Sequence, residues 1–221
     1  MKVIAHIKTD FTTKFGLPRQ SGLVQEVRGK IVFEPEFRVA EAFRGLEEFS
    51  HIWLLWEFSM AKRDNWSPTV RPPMLGGNKR MGVFATRSPF RPNSIGLSSV
   101  QLEKVEYTKE EGPVLWVRGA DLMNDTPIFD IKPYLAYTDS HPEATGGFTA
   151  ALPERKLELV FDKALQDKVP ANKLQGLIGV LQGDPRPSYI DDPDRVYGFN
   201  FGGQEIKFKV VDGTLTVLSI E

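Results

Sequence analysis

Short apolar runs of strand length, each closed by proline, glycine or asparagine, fill the first 137 residues and most restrict what the chain can become. Residues 3–9, "VIAHIKT", alternate so that Val3, Ala5 and Ile7 share one face of an opening strand, and "GKIVFEP" (Gly29–Pro35) is a second strand stopped by proline. "HIWLLWEF" (His51–Phe58) is almost continuously apolar, which predicts a central strand buried on both faces. Leu97–Tyr107 and Val114–Gly119 read as two longer strands, and "LMNDTPIFDIKPYLAY" (122–137) mixes turn residues with apolar ones. One stretch changes period: Val39, Ala42, Phe43, Leu46 and Phe49 fall at helical spacing and predict an amphipathic helix, ended by Ser50, with Glu41, Arg44, Glu47 and Glu48 outward. Many short strands with few helices predict a mainly β chain built on a closed or partly closed antiparallel β-barrel.

The pattern loosens after Tyr137. "TDSHPEATGGFTAALPER" is rich in small and turn-forming residues and reads as a linker. Beyond it Leu174, Leu177, Ile178 and Leu181 are helically spaced, and "VYGFNF", "QEIKFKVV" and "TLTVLSI" are joined by Gly-Gly and Asp-Gly turns as a β-meander. The expected organisation is a barrel domain over 1–138 with one or two helices, a linker over 139–153, and a small α+β domain over 154–221.

Several chemistries are absent. With no cysteine there is no disulfide, thiolate or iron–sulfur chemistry. No GxxxxGK[ST] and no strand-borne GxGxxG occurs, which removes P-loop hydrolysis and a Rossmann cofactor site. His6, His51 and His141 are scattered without an HxH or HExxH spacing, so no metal site is expected. The opening residues lack the long apolar core of a signal peptide and no run is long enough to span a bilayer, so a cytoplasmic protein is the expectation.

A net charge of -1 hides one basic zone. Between residues 62 and 91 stand Lys62, Arg63, Arg71, Lys79, Arg80, Arg87 and Arg91 against Asp64, together with Trp66, Phe84 and Phe90 on a proline-stiffened loop. Arginine beside aromatic surface suits single-stranded RNA, whose bases stack and whose phosphates pair; solvated loop charges matched by folded acids would look the same in sequence.

Four blocks in chain order carry a resemblance. "FGLPRQSGL" (15–23), "RGLEEFSHIWLLW" (44–56), "PTVRPPMLGGNKRMGVFATRSPFRPNSIGLS" (68–98) and "DIKPYL" (130–135) resemble the signature blocks of the TsaA-like family, and "GDPRPSY" (183–189) resembles the small C-terminal domain of its bacterial, TrmO-type branch. The resemblance implies a β-barrel methyltransferase that uses S-adenosylmethionine, works as a homodimer, and methylates N6 of N6-threonylcarbamoyladenosine beside the tRNA anticodon. It further implies that Gln20, Ser21, Gly22, Phe58, Ser59, Arg87, Leu97, Asp121, Leu122, Met123 and Asn124 bind the cofactor. Arg71, Arg91 and Asn93 would meet the substrate. The N6 must lose a proton, for which Asp130, Asp125 and Asp121 are the candidate acceptors, with Lys132 and Tyr134 as orienting groups. The chain departs from the family pattern in three places: Ser94 replaces a proline, Asn124-Asp125 replaces Asp-Gly, and Ser59 stands where a histidine often follows the buried strand. A non-catalytic RNA-binding module, or a barrel methyltransferase for a small acidic metabolite, are the competing readings; acids beside phosphate-binding arginines favour catalysis.

Overall fold

The computed structural model describes residues 1–61, 65–150, 156–186 and 192–221. Lys62, Arg63 and Asp64 of the basic zone, the end of the expected linker and the last three residues of "GDPRPSY" lie outside the described residues. The strands are β1 (Ala5–Thr9), β2 (Arg28–Phe33), β3 (His51–Glu57), β4 (Thr69–Val70), β5 (Met81–Gly82), β6 (Ile95–Thr108), β7 (Gly112–Arg118), β8 (Thr126–Pro133), β9 (Glu158–Val160), β10 (Tyr197–Phe201), β11 (Gln204–Val211) and β12 (Thr214–Ile220). The α-helices are α1 (Ala136–Asp139), α2 (Lys163–Gln166) and α3 (Ala171–Gln182).

Six strands close into an antiparallel barrel in the order β1-β2-β7-β6-β3-β8. Closure leaves no unpaired edge and turns alternate side chains inward. Ile7, Ile31, Ile52, Leu54, Val100, Leu115, Val117 and Ile128 fill the interior. Strand β3 alternates between buried and half-buried residues instead of being buried on both faces: Ile52, Leu54 and Trp56 point in, and Trp53 and Leu55 point out. The apolar outer residues made the run look like a strand buried on both faces.

The expected helix over 37–50 is three separate 3-10 turns, Pro35–Phe37, Ala40–Phe43 and Leu46–Glu48. Gly45 sits in the left-handed region at φ 85, which breaks any continuous helix there, and Val39 is 52% exposed while Phe43 is buried against Phe33. The helical spacing of the apolar residues is met by successive turns laid across the barrel.

The C-terminal unit carries the expected meander β10-β11-β12, extended by the short parallel strand β9 on the far side of β12. Its core holds Leu177, Leu181, Phe199, Phe208 and Leu215, and also Phe11, Val24 and Val27 from the connection between β1 and β2. The two hydrophobic cores therefore do not divide at the expected linker.

At Gly96 the barrel is packed to its limit. A Cβ there would lie 2.2 Å from the Trp56 ring. Gly96→Ala should force Trp56 aside and destabilise the fold by roughly 1–3 kcal/mol, read as a lower urea midpoint with an unchanged slope.

Candidate functional site

Three connections converge at one end of the barrel. The β1–β2 connection brings Gln20, Ser21 and Gly22; the loop before β6 brings Arg87; the β7–β8 turn brings Asp121 to Asn124. The Gly22 N–H donates to the Gly119 carbonyl at 2.8 Å, which ties the first connection to the third. Arg87 Nη1 donates to Gln20 Oε1, which ties the first to the second.

Asp121 is the centre of this group. Its carboxylate accepts from Ser98 Oγ at 2.6 Å, and Ser98 in turn accepts from Trp56 Nε1 at 3.0 Å. Burial pushes the Asp121 carboxyl above the ordinary aspartate value; hydrogen bonds from Ser98, from its own backbone N–H and from that of Ser21, with the charge of Arg87, pull it part of the way back. The unfolded chain releases this proton at lower pH than the folded one. Stability thus falls as pH rises from the ordinary aspartate range to the raised value, and urea midpoints across that window should lose this slope in Asp121→Ala.

Ser98 is one of the residues that sequence reasoning missed. It is 1% exposed inside an apolar strand, and a polar residue at an inward position of "IGLSSVQL" was the available signal.

The other expected cofactor residues are distributed around this centre. Leu122 is 1% exposed within the barrel core, so its carbonyl, which accepts from Thr9 Oγ1 at 3.1 Å, is the part that faces the turn. The Met123 carbonyl takes the Thr126 hydroxyl at 2.8 Å. Asn124 Oδ1 accepts from the Thr9 N–H and its Nδ2 donates to Asp125. The left-handed residue of the turn is Asp125, φ 63, at the position where the family pattern has glycine, and its carboxylate is paired with Lys8. That pairing leaves the turn shape intact and turns Asp125 to the barrel exterior.

Phe58 packs on Trp56 with ring centroids 4.2 Å apart, and its N–H bonds the Ser94 carbonyl at 2.9 Å. Ser59 opens the next 3-10 turn. Leu97 points outward, 55% exposed, opposite Leu55.

Asp130, Lys132 and Tyr134 share the outer wall of the barrel rather than its mouth. Asp130 pairs with Lys132 at 2.9 Å and lies opposite Leu55, which lies opposite Leu97; two strand spacings separate Asp130 from Leu97, about 10 Å. Tyr134 packs against His51 and Trp53. Asp139, which sequence reasoning also passed over, fixes Trp53 by accepting from its Nε1 at 2.8 Å.

Arg91 is partly committed to its own loop: its Nη1 donates to the carbonyls of Thr86 and Val83, and its guanidinium lies over Phe84. Arg71 and Asn93 are exposed, as are Arg80, Lys79, Trp66 and Phe84. Trp66 and Phe84 face each other with centroids 5.9 Å apart. No Asp or Glu occurs from residue 65 to residue 91.

Among the described residues, no three His, Cys, Asp or Glu side chains are arranged to hold a metal ion, and no helix is long and apolar enough to cross a membrane. In the groove around His6, His6 is paired with Glu34 and Lys8 with Asp125, and Arg38 donates to the carbonyls of Phe33 and Glu110.

The fold and the mouth cluster define a class: a closed antiparallel barrel with a half-buried carboxylate, an exposed arginine and a turn of close-approaching backbone at one end, flanked by a basic, aromatic loop. The chain belongs to the tRNA-methyltransferase O family, whose N-terminal domain matches residues 6–140 and whose C-terminal domain matches residues 154–221. It is 37% identical to the tRNA (adenine(37)-N6)-methyltransferase of Escherichia coli, over 99% of this chain and 96% of that protein. A Pseudomonas aeruginosa relative, 40% identical over 88% of this chain and 85% of its own length, is named for S-adenosylmethionine-dependent methyl transfer. A crystal structure of TrmO from Pseudomonas aeruginosa superimposes with a TM-score of 0.80 at 31% identity, covering 100% of this chain and 96% of that one.

Proposed function

We propose that the protein transfers a methyl group from S-adenosylmethionine to N6 of adenosine 37 of tRNA, acting on the threonylcarbamoylated form of that base. The observation that carries this reading is the Gln20–Arg87 and Ser21–Ser98–Asp121 cluster at the barrel mouth, in a chain of this family.

The residues present fit the cofactor. Asp121, half-buried and ringed by donors, suits hydroxyl groups; Arg87 supplies the cation an amino-acid carboxylate needs; Gly22, at φ 80, lets the backbone come close. Phe58 and Leu97 offer apolar surface for a ring. The cofactor, when bound, supplies an electrophilic methyl on a sulfonium.

The remaining work falls to this chain. Exposed Arg71, Arg80 and Lys79 attract phosphates, and Trp66 with Phe84 offers ring faces for unpaired bases of an anticodon loop. Arg91 and Asn93 stand beside them for the threonyl carboxylate. Asp130 accepts the N6 proton at its carboxylate; Lys132, 2.9 Å away, orients it, and Tyr134 lies further along the same wall against Trp53. Asp130 stands on the outer wall with half-buried Trp53 and Leu55, an apolar face that a second copy would cover, which supports a homodimer. Action on tRNA supports the cytoplasmic location expected from the sequence.

Incubation with methyl-labelled S-adenosylmethionine and two tRNAs, one carrying threonylcarbamoyladenosine 37 and one plain adenosine, tests the reading. Label in the first RNA alone is expected. Equal label in both would remove the threonylcarbamoyl requirement, and tight RNA binding without label in either would leave an RNA-binding module.

A further inference from the structure

The cofactor loop is built largely on the other domain. The connection from Asp10 to Val27 belongs by chain order to the barrel, yet Phe11, Val24 and Val27 are buried in the C-terminal core, with Phe15 and Leu17 packed against it. Gly16, at φ 84, lies so close to Phe199 that a Cβ would meet the ring at 2.3 Å. The Asp10 carboxylate pairs with Lys173 of α3 at 2.6 Å, and its carbonyl accepts from the Gly202 N–H at 2.8 Å.

The contact nearest the cluster joins two of the motifs. Asp184 is 2% exposed, and its two carboxylate oxygens accept from Arg186 Nε at 2.8 Å and Nη2 at 3.0 Å. This fork shapes the "GDPR" turn, with Asp184 itself at φ 54. The turn then offers two carbonyls, those of Asp184 and Arg186, to Nη2 of Arg19 at 3.4 and 3.2 Å. Arg19 immediately precedes Gln20 and Ser21.

We infer that the C-terminal domain is a brace for the cofactor loop: its "GDPR" turn holds Arg19, and through Arg19 it sets the position of Gln20 and Ser21 against Arg87 and Asp121. Arg19 is then a positioning residue, with no contact of its own to substrate. This rests on the cofactor assignment proposed above. A loop held in its bound shape avoids the ordering penalty on binding, so the brace acts on cofactor affinity and not on RNA affinity.

The test uses the full chain with Arg19→Ala, an exposed position whose removal spares both cores, and with Lys173→Ala at the loop's other anchor. Amide hydrogen exchange is read without ligand, and S-adenosylmethionine and tRNA affinities are read separately. Arg19→Ala should speed exchange at residues 19–22 and weaken cofactor binding by about tenfold, with tRNA affinity within about twofold of wild type, and Arg19→Lys should recover part of the loss. Lys173→Ala should speed exchange at the start of the loop. Unchanged exchange in Arg19→Ala overturns the brace. A fall in tRNA affinity with no change in exchange also overturns it, since the C-terminal domain would then grip the RNA. Faster exchange with unchanged cofactor affinity leaves the loop braced but removes it from the cofactor, which contradicts the functional reading itself.

Discussion

Replacing Arg87 with alanine should weaken S-adenosylmethionine binding by about 30- to 100-fold while leaving the thermal midpoint nearly unchanged. Arg87 is exposed and sits on a loop, so neither hydrophobic core depends on it. Its guanidinium donates to Gln20 and lies close enough to Asp121 to stabilise that carboxylate. A charged hydrogen bond to a ligand carboxylate contributes about 2–3 kcal/mol, which sets the size of the loss. A second effect adds to it: without the neighbouring cation the Asp121 carboxyl, already raised by burial, rises further. Affinity in the variant should therefore fall more steeply than in wild type as pH is lowered. Arg87→Lys keeps a charge and loses the fork, and should fall between the two. Calorimetric titration of the three proteins at two pH values measures all of this.

The second large effect is catalytic. Asp130→Asn should lower the single-turnover rate of methyl transfer by roughly 100-fold or more, the usual range for loss of a proton-accepting group. Cofactor affinity should stay within about twofold, because Asp130 is on the outer wall, paired with Lys132, and the cofactor cluster is at the mouth. Lys132→Ala should show a smaller loss, since it leaves the carboxylate in place. If Asp130→Asn weakens cofactor binding and spares the rate of the bound complex, the proton-accepting role passes to another group. Asp121 is the alternative the geometry offers.

How far the sequence could be read varied with the range of the interaction that decides each element. Strand-length runs between turn residues were enough to expect a barrel, because alternation and punctuation are local. The 37–50 stretch misled for a local reason too: the apolar spacing of Val39, Phe43 and Leu46 satisfies a helix and a series of 3-10 turns equally, and the positive φ at Gly45 decides between them. His51–Phe58 misled because the outer residues of β3 are apolar; Trp53 and Leu55 belong to a half-buried wall and not to a second core.

At the site, the arginine and the "PRQSG" turn stood out as motifs, but what joins them did not. The Ser98 bridge between Trp56 and Asp121 spans residues 42 and 23 positions apart, and no periodicity announces such a link. The same is true of Arg19 and the "GDPR" turn, separated by 165 residues or more and brought together by Phe11, Val24 and Val27 in a core that belongs to the other domain. The departure at Asn124-Asp125 became legible once φ was known. Asp125 takes the left-handed position and Asn124 spends its amide on Thr9 and Asp125, so the turn survives the loss of glycine.

The central claim is that S-adenosylmethionine binds where the 19–22 loop, Arg87 and the 121–124 turn meet. Amide hydrogen exchange of the wild-type protein with and without saturating S-adenosylmethionine tests it most directly. Protection confined to residues 19–22, 86–88 and 120–124, with the C-terminal meander unchanged, is the predicted result. Protection absent from all three segments, or concentrated on the β3 and β8 wall around Trp53 and Asp130, would contradict it.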